Sequence, residues 1–259
     1  MELDSGIRVF APSYKRGDRL ASTQKAYPFV TLVVKESEAD AYRASGNRVV
    51  TCPDAVQGNL CRVRNWILDK NQDARGVLLL DDDYSHVSRW QNLREKKLNP
   101  AAFEEFIEHG FSLAEQWGAF FWGLNCAVDK GVYREYTPFS TTAYIGGPFQ
   151  AHRPNPIRYD EALPLKEDYD MTLQHANRFR LVLRFNAYMY KVKQNEQAGG
   201  CAAYRTIAAE MAQFDLLAKK WGPRVVQRDS GASKQKVRGA GVGAGYDINP
   251  IVRVPISGV

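Results

Sequence analysis

One stretch constrains this chain more than any other: residues 76–86, GVLLLDDDYSH, where an apolar run breaks into three consecutive carboxylates. Residues 77–80 are too few and too aliphatic for a surface helix, and they read as a strand buried on both faces, as in parallel sheets. Asp81, Asp82 and Asp83 then stand at its carboxyl end. Open α/β sheets bind ligands in the crevice beyond those ends, and hard oxygen ligands there suit Mg²⁺ or Mn²⁺ carrying a diphosphate. An acidic turn is the plainer reading, since Asp is a common turn residue, so the surrounding chain has to decide.

Upstream, strand and helix alternate. Residues 7–11 form an apolar strand candidate running into PSYKRGDRLAS, a loop where Tyr14 can stack on a base and Lys15, Arg16 or Arg19 can meet phosphate; a solvated basic loop is the alternative. FVTLVV at 29–34 is a second strand, ESEADAYRASG a helix ending at Gly46, and residues 48–51 a third strand. Leu60, Val63, Ile67 and Leu68 fall at helical spacing facing the sheet, which puts Arg64 and Asn65 on the helix that feeds the aspartate strand. Arg64 there either reaches a diphosphate or lies at the surface.

Downstream, SRWQNLREKKLNP reads as a polar loop over the site, and Pro100 opens a helix with Phe103, Phe106, Ile107 and Leu113 as its buried stripe. Residues 119–128 are a strongly apolar strand. YREYTPFSTTAYIGG is expected to form strands walling an acceptor, with Tyr133, Tyr136, Phe139 and Tyr144 either stacking on an acceptor ring or packing within the sheet. The pair Gly146 and Gly147 follows, and then Glu167, Asp168 and Asp170 at the head of a helix. Residues 181–192 read as a strand, and 204–220 as an amphipathic helix with Ile207, Met211, Phe214 and Leu217 inward. Gly, Ser and basic residues (Arg224, Arg228, Lys234, Lys236, Arg238) then dominate until INPIVRVPI. The expected division is therefore 1–223 for the main domain and 224–259 for a basic loop with an apolar end.

Four cysteines without a Cys-x-x-Cys pair point away from a zinc knuckle or disulfide framework and toward reduced thiols. No run of about 18 apolar residues occurs, so the expectation is a soluble, cytoplasmic protein. The net charge of +6 favours an anionic partner, a nucleotide or a nucleic acid.

Three segments in order resemble the GT-A type of nucleotide-sugar glycosyltransferase: APSYKR after the first strand, VRNWILDKNQDARGVLLLDDDY with its DXD motif, and IGGPFQAHR followed by YDEALPLKEDYDMTL. The resemblance covers roughly residues 7 to 195 and implies a Rossmann-like α/β fold, a mixed, mostly parallel sheet flanked by helices in a single domain. It also implies a UDP-sugar or related donor contacted by Pro12, Tyr14, Arg16, Arg64, Asp81 and Asp82. Mn²⁺ or Mg²⁺ would sit on Asp81 and Asp83, with Asp82 as a buttress. Asp168 would be the base of an inverting reaction, with Glu167 binding acceptor or sugar hydroxyls. Many such enzymes supply a third metal ligand, a His, after this helix, but His175 is the last histidine here; Asn195, Glu196 or water would take its place.

GVLLLDDDYSH and LPLKEDYDMTLQHANR are similar to the phage-type and TET-associated glycosyltransferases, which implies a hydroxymethylpyrimidine in DNA as acceptor. A base in a duplex must be extruded for such chemistry, and Trp90, Trp122, Phe139 and Tyr144 are aromatic candidates near the acceptor, with Gly146, Gly147 and Asp170 alongside; Asp170 capping its own helix is the alternative. Rival readings are a glycosyltransferase with a protein, lipid or polysaccharide acceptor, a sugar nucleotidyltransferase, for which PSYKR is poor in glycine, and a non-catalytic nucleic-acid-binding protein, which clustered carboxylates oppose.

Overall fold

The computed structural model describes residues 3, 5–92, 94–126, 133–193, 200–228 and 250–254. In chain order these form β1 (Ile7–Pro12), α1 (Ser22–Ala26), β2 (Thr31–Lys35), α2 (Ala39–Ala44), β3 (Val49–Cys52), α3 (Leu60–Lys70), β4 (Gly76–Leu80), β5 (Tyr84–Gln91) and β6 (Arg94–Lys97). Next come α4 (Pro100–Trp117), β7 (Phe121–Asn125), β8 (Phe139–Ser140), β9 (Phe149–His152), α5 (Glu167–Phe179), β10 (Leu183–Val192), α6 (Ile207–Trp221), β11 (Val226–Arg228) and β12 (Pro250–Val252).

The main sheet runs β3-β2-β1-β4-β9-β7-β10-β5-β6, with β8 paired to β10 off that path. Among its strands, β5, β8 and β9 run opposite to the rest, so this is the mixed, mostly parallel α/β sheet expected from the sequence. Its apolar composition puts β4 in the middle. Val77 and Leu79 face a layer that includes Val63 and Ile67 of α3 and Met171 of α5, while Leu78 and Leu80 face a layer that includes Phe103, Ile107 and Phe111 of α4. At about 25 cal/mol per Å² of apolar surface removed from water, burial on both faces gives this strand little freedom to slip. Gly76 is required there, because a Cβ would come within 2.2 Å of the Phe111 ring.

β1 pairs in parallel with β2 on one side and β4 on the other. The chain changes winding direction between β1 and β4, and at such a switch point a crevice opens beyond the carboxyl ends of the strands. Ser13 follows one of those ends and Asp81 the other.

Two segments depart from the sequence reading. The polar stretch after the aspartates is a β-hairpin, β5 and β6, turning at Asn92 with φ of 50°. Its strand character is hidden because β6 is an exposed edge, where charged side chains are the rule; Glu95 there accepts from the Ser88 hydroxyl at 2.9 Å and lies 3.0 Å from His86 Nε2. In the aromatic segment only Phe139–Ser140 is a strand among the described residues. The loop before it is held instead by Asn186, whose backbone N–H donates to Pro138 O and whose amide donates to Thr137 O.

Behind α5, Phe214 and Leu217 of α6 pack with Leu163, Leu173 and Val226, and β12 returns to pair with β11. Residues 229–249, which hold Lys234, Lys236 and Arg238, lie outside the described residues.

Candidate active site

Four pieces of chain converge beyond β4: the loop after β1, the aspartates, the Gly146–Gly147 turn before β9, and the head of α5. Arg64 joins three of them. It projects from α3 into the protein and is fully buried, with NH1 donating to Gln150 Oε1 at 2.8 Å and Glu167 Oε1 at 3.2 Å. NH2 donates to Gly147 O at 2.9 Å and reaches Asp81 Oδ1 at 3.5 Å. A planar guanidinium with five donors suits this forked arrangement, where an ammonium would not. Arg64 therefore does not lie at the surface; it knits the site together.

Its neighbour Asn65 accepts from the Tyr159 N–H at 2.7 Å and donates to Tyr159 O at 2.9 Å. Tyr159 in turn donates its hydroxyl to Gln150 Oε1 at 2.6 Å and has His152 Nε2 at 2.8 Å. Because that hydroxyl proton is committed to Gln150, the His152 Nε2 carries the proton in their contact. Burial holds His152 well below its usual range and hence neutral. Gln150, Tyr159 and His152 were not expected from the sequence, since each lies far along the chain from Arg64.

The aspartates divide their work. Asp82 is buried and accepts from Ser13 and Arg16, closing the β1 loop onto β4. Arg16 therefore sits on a protein carboxylate. Asp81 keeps 31% of its side-chain surface and faces the crevice; desolvation pushes it up, with Arg64 opposing and Asp82 adding to the rise. Asp83 is buried, its Oδ1 has no hydrogen-bond partner, and burial with the charges of Asp81 and Asp82 pushes it to about 7. A desolvated carboxylate oxygen without a donor beside two like charges is an environment that a cation would stabilise. Asp81 and Asp83 thus fit a Mg²⁺ or Mn²⁺ that takes one or two protein carboxylates and completes its shell with water and phosphate oxygens. No cluster of three or more His, Cys, Asp or Glu ligands occurs among the described residues, and Asn195 and Glu196 lie outside them.

At the head of α5, Glu167 is buried and pushed to about 8 by desolvation and then by Asp168, with Arg64 opposing. Asp168 is half-buried. Its Oδ2 accepts from the Gly147 N–H at 3.0 Å and from the Tyr144 hydroxyl. Gly147 faces both acids closely: a Cβ would lie 3.3 Å from Glu167 Oε1 and 3.4 Å from Asp168 Oδ2. Gly146 is tighter still, with Tyr190 Oη at 2.3 Å from the same imagined atom.

A small cleft of about 50 Å³ opens beside this cluster, lined by Pro12, Ser13, Tyr14, Asn59, Asp82 and Cys201 among others. It has a proline and a tyrosine ring on one wall and joins the aspartates directly. The sequence profile of the TET-Associated Glycosyltransferase family (TAGT) matches residues 7–200, from the first strand to the far wall of this cleft. The chain belongs to the TET-associated glycosyltransferase family.

A crystal structure of S. aureus TarS 1-349 is similar at 15% identity with a TM-score of 0.42, across 84% of this chain and 66% of that one, so this chain spans just under two thirds of that protein's resolved length. No curated protein matches the chain. Among the described residues of this TET-associated glycosyltransferase, no helix is long and apolar enough to cross a membrane.

Two expected acceptor residues are elsewhere. Trp122 is fully buried in the layer under α4, edge-on to Phe106 and Phe111, because β7 is covered on both faces. Asp170 is also fully buried and points away from the crevice, accepting from Lys220 at 3.0 Å, Trp221 Nε1 at 2.7 Å and Gln174 at 2.7 Å. Two helical positions past Asp168, it faces α6 instead of the site. Neither side chain lines the acceptor side.

Proposed function

We propose that this glycosyltransferase moves a sugar from a nucleoside diphosphate, a UDP-sugar foremost, to the hydroxymethyl group of a modified pyrimidine in DNA, with inversion. The observation that carries the reading is the convergence of two acidic groups on one buried arginine. Asp81 and Asp83 stand at the end of β4, Glu167 and Asp168 at the head of α5, and Arg64 bridges Asp81 to Glu167.

The chemistry divides between the two groups. Pro12, Tyr14 and the cleft beside Asp82 accommodate the nucleoside, with Arg16 holding Asp82 in place. Asp81 and Asp83 would hold Mn²⁺ or Mg²⁺, whose contribution when bound is Lewis-acid stabilisation of charge on the departing diphosphate. Asp168 lies nearer solvent than Glu167 and takes the proton of the attacking hydroxyl. Glu167, kept largely protonated at neutral pH, is suited to donate a hydrogen bond to a sugar or acceptor oxygen. The family resemblance and the charge of +6 favour DNA over a protein, lipid or polysaccharide acceptor.

The test is to incubate the protein and Mn²⁺ with hydroxymethylcytosine DNA and a panel of UDP-, GDP- and dTDP-sugars, then to weigh the released nucleosides. A hexose or pentose increment on hydroxymethylcytosine is expected. Nucleotide-sugar consumption with unmodified DNA would move the acceptor to another class while leaving the donor side intact.

A further inference from the structure

We propose that Tyr144 is a positioning residue that aims the Asp168 carboxylate, rather than a platform for the acceptor ring. This rests on Asp168 being the base, as proposed above.

A carboxylate offers about four lone pairs to donors. On Asp168, Oδ2 accepts from the Tyr144 hydroxyl and from the Gly147 N–H at 3.0 Å, and Oδ1 accepts from the Tyr169 N–H at 2.9 Å. These donors leave the remaining acceptor direction on Oδ1. Two of them are backbone groups fixed by the glycine turn and by the first turn of α5. The third is a side chain, and its placement is unusually well determined. The Tyr144 ring stacks on the Tyr169 ring with centroids 4.3 Å apart and planes 16° from parallel. Its backbone is tied to β10, where Arg184 NH1 donates to Tyr144 O at 3.4 Å, and to α5, where the next N–H, that of Ile145, donates to Thr172 Oγ1 at 3.2 Å.

A ring meant to receive a base needs an open face and a free edge. Here one face lies against Tyr169 and the hydroxyl edge is committed to the carboxylate. What the arrangement does is stop Asp168 from rotating about its side-chain bonds. In the transfer, the acceptor O–H proton passes to Oδ1 while the acceptor oxygen bonds to the anomeric carbon of the donor sugar. The bond from that carbon to the diphosphate oxygen breaks, and its electron pair leaves with the diphosphate. A base held within hydrogen-bond reach in one orientation serves this step better than one that must find it.

The experiment compares Tyr144→Phe, which keeps the stack and removes the hydroxyl, with the unaltered protein, using UDP-glucose and a hydroxymethylcytosine-containing duplex. The expected result is a kcat lowered about ten-fold, the scale of one lost hydrogen bond to a charged group, with both KM values within about two-fold. Tyr169→Ala removes the ring that Tyr144 leans on and should show the same pattern, which keeps the test valid if one variant folds poorly. An unchanged kcat, or a raised acceptor KM at constant kcat, overturns the proposal in favour of a stacking platform. Asp168→Asn run in parallel separates the two levels: if it retains turnover the base assignment fails, whereas an inactive Asp168→Asn beside a fully active Tyr144→Phe removes only the role of Tyr144.

Discussion

Replacing Arg64 by leucine should be among the most damaging single changes in this protein. The guanidinium is fully buried and serves Gln150, Glu167, Gly147 and Asp81 at once. Leucine fills much of the volume but leaves the Glu167 carboxyl, the Gly147 carbonyl and the Gln150 amide oxygen without their donor. Each buried polar group left without its partner costs about 1–3 kcal/mol, out of a total stability of about 5–15 kcal/mol for a typical domain. The assay is urea unfolding followed by tryptophan fluorescence, with the slope checked so that a shift in midpoint reports stability alone. Arg64→Lys keeps the charge but cannot span both sides of the fork, so it should recover less than half of the loss and little activity. Arg64→Leu combined with Glu167→Leu should be less damaging than the sum of the single changes, by at least about 1 kcal/mol, because the carboxyl that loses its donor is then gone. A loss below about 1 kcal/mol for Arg64→Leu, or strict additivity in the double variant, would refute the view that Arg64 is the tie between the acidic groups.

Four further outcomes follow from the same geometry. UDP with Mn²⁺ should raise the melting temperature of the unaltered protein, and Asp83→Asn or EDTA should abolish that rise; a variant that still responds to Mn²⁺ places the ion elsewhere. Asp168→Asn should lower turnover by about 10² to 10⁴ while calorimetry shows unaltered binding of UDP. Glu167 sits at about 8 instead of 4.5, so the folded protein holds a proton that the unfolded chain has released, and stability should fall as pH rises from about 4.5 to about 8; urea midpoints across that range should show a shallower fall in Glu167→Gln, and an identical fall in both proteins contradicts the assignment. Gly146→Ala places a methyl 2.3 Å from Tyr190 Oη and should cost about 1–3 kcal/mol, read by thermal melting.

Much of the frame can be read from local pattern. β4 announces itself because an apolar aliphatic run too short for a surface helix leads into the aspartates, and the helix of Pro100–Trp117 because Pro100 opens it and Phe103, Phe106 and Ile107 recur on one side. The aspartates and the Glu-Asp pair are also visible as local motifs. What local pattern does not carry is partnership across distance. Arg64 could have been a surface residue as far as its own helix shows; its burial depends on Gln150 and Glu167, which arrive from β9 and α5. Trp122 and Asp170 look available for a ligand because their motifs say nothing of what covers them. The β5–β6 hairpin is concealed for the opposite reason: an exposed edge strand has the polar composition of a loop.

The anchoring of α5 limits how far this protein can be cut down. The family match ends at residue 200, which invites trimming the chain there. Such a cut would remove Lys220 and Trp221, leaving the fully buried Asp170 with Gln174 as its remaining side-chain donor, and would take away Glu210, the buried partner of Lys166 just ahead of the helix. Leu163 and Leu173 would be opened to water as well. The helix that presents Glu167 and Asp168 would then rest on an exposed greasy face holding stranded charges, so a minimal catalytic fragment should extend through Val254.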